Sequence, residues 1–190
     1  MTSIIEYPLL IDLSDSARTG LRGVAAEKYL QSLGVDTPVK PNQATFNNDF
    51  AVLRLSPKEF WLLEHPLTAE QTVDNVLRET LPEQDAYRLF CRDSHAWFWL
   101  IGDQSAAVMA KVCGVDLRTS AFPPGAIAQT SVARVNAIVV HQTLGNETCF
   151  NLLCDSAAAE YFRSCLLDAM AEFGGQCMER EQLLTIINQG

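Results

Sequence analysis

Basic residues are scarce in this chain: 14 Lys and Arg stand against 23 Asp and Glu, a formal net charge of −9 over 190 residues. The deficit is even, with 9 basic and 14 acidic residues in positions 1–95 and 5 and 9 in positions 96–190. A phosphate backbone needs a basic stripe, and none is present, so nucleic acid is not an expected partner. Long apolar runs are missing too. None reaches the roughly 18–20 residues of a membrane span, and Met1-Thr2-Ser3-Ile4-Ile5-Glu6 carries no basic signal region, so a cytoplasmic location is expected.

The six cysteines, at 91, 113, 149, 154, 165 and 177, form no C-x-x-C pair. Structural zinc is therefore not expected, and the thiols read as small apolar residues kept reduced. Gly20-Leu21-Arg22-Gly23 is neither a full G-x-G-x-x-G nor a Walker loop, and no G-x-S-x-G occurs. Nucleotide binding and elbow-type hydrolysis have no local support. What is present is ordinary globular material, 48% from AVILMFWYC and 19% charged, enough for one core or two small ones in contact.

The chain repeats itself. At an offset of 80, Tyr7–Asp36 lies over Tyr87–Asp116 with seven identities in 30 pairs, among them Tyr7/Tyr87, Leu9/Leu89 and Gly34-Val35-Asp36/Gly114-Val115-Asp116. Chance would give about two, at roughly 6% per position. Both copies follow one script: extended run, polar corner, second extended run, helix, Gly-Val-Asp. Ala26, Tyr29, Leu30 and Leu33 form a helical stripe ending at a Gly34 cap. Val108, Met109, Val112 and Cys113 form its counterpart, with Asp103 as N-cap and Gly114 as stop. Each copy then has a proline loop and paired strands, 51–55 with 59–63 and 137–141 with 149–153.

A second helix closes each copy. Thr68-x-x-Gln71 is a capping box before Val73, Val76, Leu77 and Leu81. The later helix starts near Asp155-Ser156 and is expected to bury Tyr161, Phe162, Cys165, Leu166, Ala169, Met170 and Phe173 before Gly174-Gly175. The fold expected is α+β, two tandem ferredoxin-like βαββα lobes over 1–86 and 87–175 packed as one compact unit. Residues 176–190 are a tail whose Leu183, Leu184, Ile186 and Ile187 suit a short docked helix.

Chemistry is thinly signalled. Asp93 and His95 at i and i+2 would share one face of a strand, a carboxylate orienting a histidine, with Ser94 opposite; a backbone-satisfying polar corner explains the same residues. Trp97 and Trp99 share a face of the next strand, an aromatic pair suited to a core, a subunit interface or, less commonly, a pterin. Arg54, Arg92 and Arg134 are basic groups available to a folate glutamate tail. His65 and His141 have no local metal partner. No catalytic residue and no metal ligand is assigned.

Several segments in order resemble one family: Ile11-Asp12-Leu13-Ser14 with Gly20-Leu21-Arg22-Gly23, Pro41-Asn42, Leu55-Ser56-Pro57-Lys58-Glu59-Phe60-Trp61-Leu62-Leu63, Asp93-Ser94-His95, Phe122-Pro123-Pro124-Gly125 with Gln129-Thr130, and Ala171-Glu172-Phe173-Gly174. Together, over about residues 7–175, they resemble the gamma subunit of heterotetrameric sarcosine oxidase, a relative of the folate-binding fold of the glycine-cleavage T-protein. The resemblance implies a two-lobed α+β chain that joins alpha, beta and delta subunits in oxidative demethylation of sarcosine to glycine. It also implies that FAD, FMN, NAD, tetrahydrofolate and zinc reside on those partners and no cofactor on this chain. The Lys-Gly-Cys-Tyr-x-Gly-Gln-Glu signature of the folate-dependent iron–sulfur repair branch is absent, and 190 residues do not accommodate the T-protein's C-terminal barrel, so aminomethyl transfer by this chain alone is not expected. The second reading is a stand-alone folate or one-carbon binding protein, a homodimer in isolation, with Asp93, Ser94 and His95 lining the pocket; a hydrolase built on His95 ranks third.

Overall fold

The computed structural model describes residues 5–70, 73–77 and 85–183. In chain order the elements are β1 (Leu9–Asp12), β2 (Arg18–Arg22), α1 (Ala26–Ser32), β3 (Gln43–Phe46), β4 (Phe50–Ser56), β5 (Glu59–Glu64), α2 (Val73–Val76), β6 (Tyr87–Leu89) and α3 (Cys91–Ser94). They continue with β7 (His95–Ile101), α4 (Ser105–Ala110), β8 (Ile127–Val132), β9 (Val135–Leu144), β10 (Glu147–Asp155), α5 (Ala159–Met170) and β11 (Gln176–Cys177). The result is a mixed α+β protein with two sheets, ordered β3-β4-β5-β2-β6 and β11-β1-β7-β10-β9-β8.

The boundary expected between 86 and 87 is not where the chain divides. One compact unit is Asp15–Ser94; the other is Met1–Ser14 together with His95–Gly190. The first strand of each repeat pairs in the other repeat's sheet: β1 runs antiparallel to β7, Leu9 opposite Ile101, and β6 runs antiparallel to β2, Gly20 opposite Leu89. The script of the repeat was right and its grouping was not, because strand pairing is decided by hydrogen-bonding partners distant in sequence.

In the 15–94 unit, Leu21, Phe50, Val52, Phe60 and Leu62 on one sheet face pack on Ala26 and Leu30 of α1 and Val73 of α2. Gly34, at φ +77, ends α1 as a left-handed cap should. Gly23 is demanded by close approach: at φ +141, a Cβ there would lie 1.9 Å from the Asp85 carbonyl oxygen. The expected Thr68-x-x-Gln71 capping box reaches outside the described residues, as do Leu81 and Pro82. The Glu64 carboxylate accepts from the Val73 N–H at 3.2 Å.

In the other unit, Phe98, Leu100, Phe150 and Leu152 pack on Val108 and Met109 of α4 and on Phe162, Leu166 and Met170 of α5. Asp155 caps the turn before α5, accepting from Ala157 N–H at 2.8 Å. Asp103 does not cap α4, whose N-cap position is Gln104 without a side-chain bond. Gly114 has no positive φ, unlike Gly34, although the repeat aligns them. Tyr161, expected in the core, is 54% exposed, and Cys165 and Phe173 are only half-buried. The helix is narrower in its buried stripe than its apolar composition suggests.

The tail departs from expectation at its start. Gln176–Cys177 forms a strand parallel to β1, with Gln176 N–H donating to Pro8 O at 3.0 Å and Met178 N–H to Leu10 O at 2.9 Å. Residues 180–183 are helical and Leu183 is fully buried; Leu184, Ile186 and Ile187 lie outside the described residues. Strands β4, β5, β7 and β10 are buried on both faces, which is why they read as continuous apolar strings and not as alternation.

Candidate functional site

The corner before β7 is not a strand. Cys91–Ser94 turns as helix α3 and His95 opens β7, so Asp93 and His95 do not share a strand face as the i, i+2 spacing suggested. Arg92 and Asp93 instead line a pocket of about 230 Å³ with Arg18, Thr19, Arg88 and Phe90, all within the 15–94 unit. Backbone carbonyls hold Arg18 and Arg92 in place, and a hydroxyl holds Arg88. Arg18, 4% exposed, donates from Nη1 to Ser16 O at 2.7 Å and from Nη2 to Arg92 O at 3.1 Å. Arg92 Nη2 reaches Asp15 O at 3.0 Å, and Arg88 Nε reaches Thr19 Oγ1 at 3.2 Å.

Three guanidinium groups with one carboxylate make this pocket net positive in an acidic chain, a setting for a carboxylate or another oxyanion. Arg18 and Arg88 were not singled out from the sequence. Arg88 and Arg92 are four apart, which on an isolated helix would be visible, but a strand end and a helical turn bring them together here. Burial, aided by Glu59, pushes the thiol of the neighbouring Cys91 up to about 12, which keeps it in the protonated form at neutral pH.

Trp97 and Trp99 are each 1% exposed. Their rings meet edge to face at 6.3 Å, and both indole N–H groups donate to Asn151 Oδ1, at 3.0 and 2.6 Å. Asn151 Nδ2 in turn donates to Gln142 Oε1 at 3.0 Å. This is a satisfied buried polar network, and a pterin cannot stack on rings so placed. Arg54 is likewise committed. Its Nη1 and Nη2 grip Glu27 of α1 at 2.6 and 2.9 Å, its guanidinium also donates to the Pro38, Val39 and Pro57 carbonyls, and it lies 5.0 Å over the Phe60 ring. It holds the Pro38–Pro41 loop to the sheet.

Arg134 occupies a different setting in the unit that contains β7–β11. It is the second of two residues turning β8 into β9, and it lines a cleft of about 560 Å³ with Lys111, Val112, Ala133, Tyr161, Ser164, Cys165 and Asp168. Tyr161 hydrogen-bonds Cys165, which raises its phenol, while the Arg134 charge acts in the opposite sense. Lys111 is engaged at the end of α5, donating to Ala169 O at 3.1 Å beside Glu172 at 3.4 Å.

His141 is buried between Phe122 and Phe150, its Nδ1 2.6 Å from Phe122 O. Burial lowers the pKa of His65. Among the described residues no group of three or more His, Cys, Asp or Glu could hold a metal ion, and no helix is long and apolar enough to cross a membrane.

Comparison with known proteins gives the fold a lineage. The chain is similar to a chain of heterotetrameric sarcosine oxidase from Corynebacterium sp. U-96, whose structure was solved in complex with pyrrole 2-carboxylate: TM-score 0.72, 24% identity, 86% of this chain and 84% of that one. It is also similar to glycine cleavage system aminomethyltransferase T from Bartonella henselae: TM-score 0.67, 18% identity, 90% of this chain but 48% of that one. This chain thus spans about half the length of the aminomethyltransferase. No curated protein matches the sequence. These likenesses are of fold, and they bear out the resemblance carried by the sequence segments. The profile of the GCVT N-terminal domain matches residues 4–181, and the chain belongs to that family.

Proposed function

We propose that this chain is a non-catalytic, gamma-type subunit of a heterotetrameric sarcosine oxidase. The observation that carries the reading is extent: the chain and its sarcosine oxidase counterpart match over nearly all of each other, whereas the aminomethyltransferase has as much again that this chain does not cover. On this reading alpha, beta and delta subunits supply the FAD, FMN, NAD, tetrahydrofolate and zinc, and the assembly demethylates sarcosine to glycine in the cytoplasm, where free thiols persist. The chain contributes surface and rigidity. We read its two units as tandem ferredoxin-like lobes in which the leading strands are exchanged between sheets. The test is co-purification from the native host through a tag on this chain. Recovery of a yellow, sarcosine-oxidising complex is expected; recovery alone and colourless overturns the reading.

A second reading, a stand-alone folate or one-carbon binder that forms a homodimer, draws on the Arg18–Arg88–Arg92 pocket, which suits a glutamate-tail carboxylate. Titration of the isolated chain with tetrahydrofolate decides it: saturable binding weakened by Arg92→Ala supports it, and no binding at millimolar ligand rejects it.

A further inference from the structure

The turn between β8 and β9 has an unusual cost. Val132 pairs with Val135, so Ala133 and Arg134 are a two-residue hairpin loop, and both have positive φ, +49 and +66. Positive φ at both positions is the type I′ arrangement, which strongly prefers Asn-Gly, Asp-Gly or Gly-Gly because other side chains crowd the backbone there. Neither residue here is Gly, Asn or Asp. The loop is nevertheless firmly held: Ala133 N–H donates to Val112 O at 2.8 Å, and Cys113 bridges to Val132. Strain that persists in a tightly held loop is commonly tied to what the loop presents.

It presents an arginine. Among the described residues Arg134 makes no hydrogen bond and no ion pair, in contrast to Arg18, Arg22, Arg54, Arg92 and Arg118, each of which is held by protein oxygens. Beside it in the same cleft stands Tyr161, one of few large apolar side chains left exposed. Arg and Tyr are the residue types, with Trp, that concentrate binding energy in protein interfaces, since both bring wide apolar surface and a polar tip at small entropic cost. The cleft is walled by this hydrogen-bonded hairpin and by helix α5.

We propose that the Arg134–Tyr161 cleft is a docking site for a partner protein, which inserts an Asp or Glu side chain against the Arg134 guanidinium and covers the Tyr161 ring. Charge complementarity selects the occupant: an unengaged planar cation takes a carboxylate in a bidentate pair. The site's breadth suits a side chain delivered by a protein surface, which also excludes the water that would otherwise screen an exposed pair. The inference rests on the subunit reading above and names the surface through which the subunit attaches.

The test uses the full chain co-expressed with alpha, beta and delta subunits, with affinity measured at 50 and 300 mM NaCl. Arg134→Gly relieves the turn strain, so the isolated chain is expected to melt at a higher temperature while affinity falls about tenfold or more and its salt dependence flattens. Arg134→Asn, also tolerated at positive φ, repeats the measurement with a side chain present. Tyr161→Ala is expected to weaken assembly at both salt concentrations, and Arg118→Ala, which removes an exposed charge outside the cleft, to leave it unchanged. Full affinity and unchanged salt dependence in both Arg134 variants overturn the docking site while the subunit reading stands. Failure of the unmutated chain to assemble at all overturns both.

Discussion

Asn151 is the residue on which most is hung. Its one carbonyl oxygen satisfies two buried indoles and its amide satisfies Gln142. Asn151→Leu keeps the branched shape, with somewhat more bulk, and removes the partner of two buried N–H donors and one acceptor, each worth about 1–3 kcal/mol. A loss of about 3 kcal/mol in urea unfolding is expected, with a changed near-ultraviolet signal from the tryptophans. His65 makes a pH prediction. Burial favours its neutral form, so its folded pKa lies below the ordinary value of 6.5. Below that value the unfolded chain binds the proton that the folded chain resists, so stability falls as pH drops from about 6.5 through the folded pKa. The urea midpoint is expected to decline between pH 7 and pH 5, and His65→Gln to reduce that decline. Residue chemistry of this kind was partly legible in advance: the aromatic pair and the corner were visible, but Asn151 sits 52 residues or more from its tryptophans in sequence, and no local pattern marks it.

At the scale of elements, helices and hairpins were readable because their signals are local. The α1 stripe with its Gly34 cap, the β4–β5 and β9–β10 hairpins, and α5 opening at Asp155 all follow from periodicity and turn residues. Strand β11 was not readable: two exposed residues, Gln176 and Cys177, carry no strand pattern, and the pairing depends on the free edge that β1 offers. The helical residues that follow it bury Leu183 completely. Leu183→Ala is expected to cost about 2–4 kcal/mol and to speed hydrogen exchange at the Gln176 and Met178 amides, which donate to β1 and its flank. Unaltered exchange there would show that β11 holds without the packing behind it.

For the molecule as a whole, burial sorts the thiols. Cys91, Cys113, Cys149 and Cys154 are buried, Cys165 is half-buried and Cys177 exposed. Burial raises Cys149 well above the ordinary thiol range and Cys154 to about 11. A thiol reagent at pH 8 is therefore expected to label Cys177 first and Cys165 more slowly, the other four reacting only after denaturant is added. Labelling of Cys91 in the native chain would contradict the packing around α3. Composition, charge and the repeat were properties of the sequence by itself, because they are counts and matches along the chain, and so was the order of helices and hairpins, because each depends on residues within a turn or two of one another. Tertiary structure alone decided the exchange of the leading strands between sheets, the burial of Trp97 and Trp99, the commitment of Arg54 to Glu27, and the exposure of Arg134 and Tyr161 in one cleft. Those outcomes depend on which distant backbone groups pair and which side chains are left over once the sheets are covered, and no spacing along the chain encodes that.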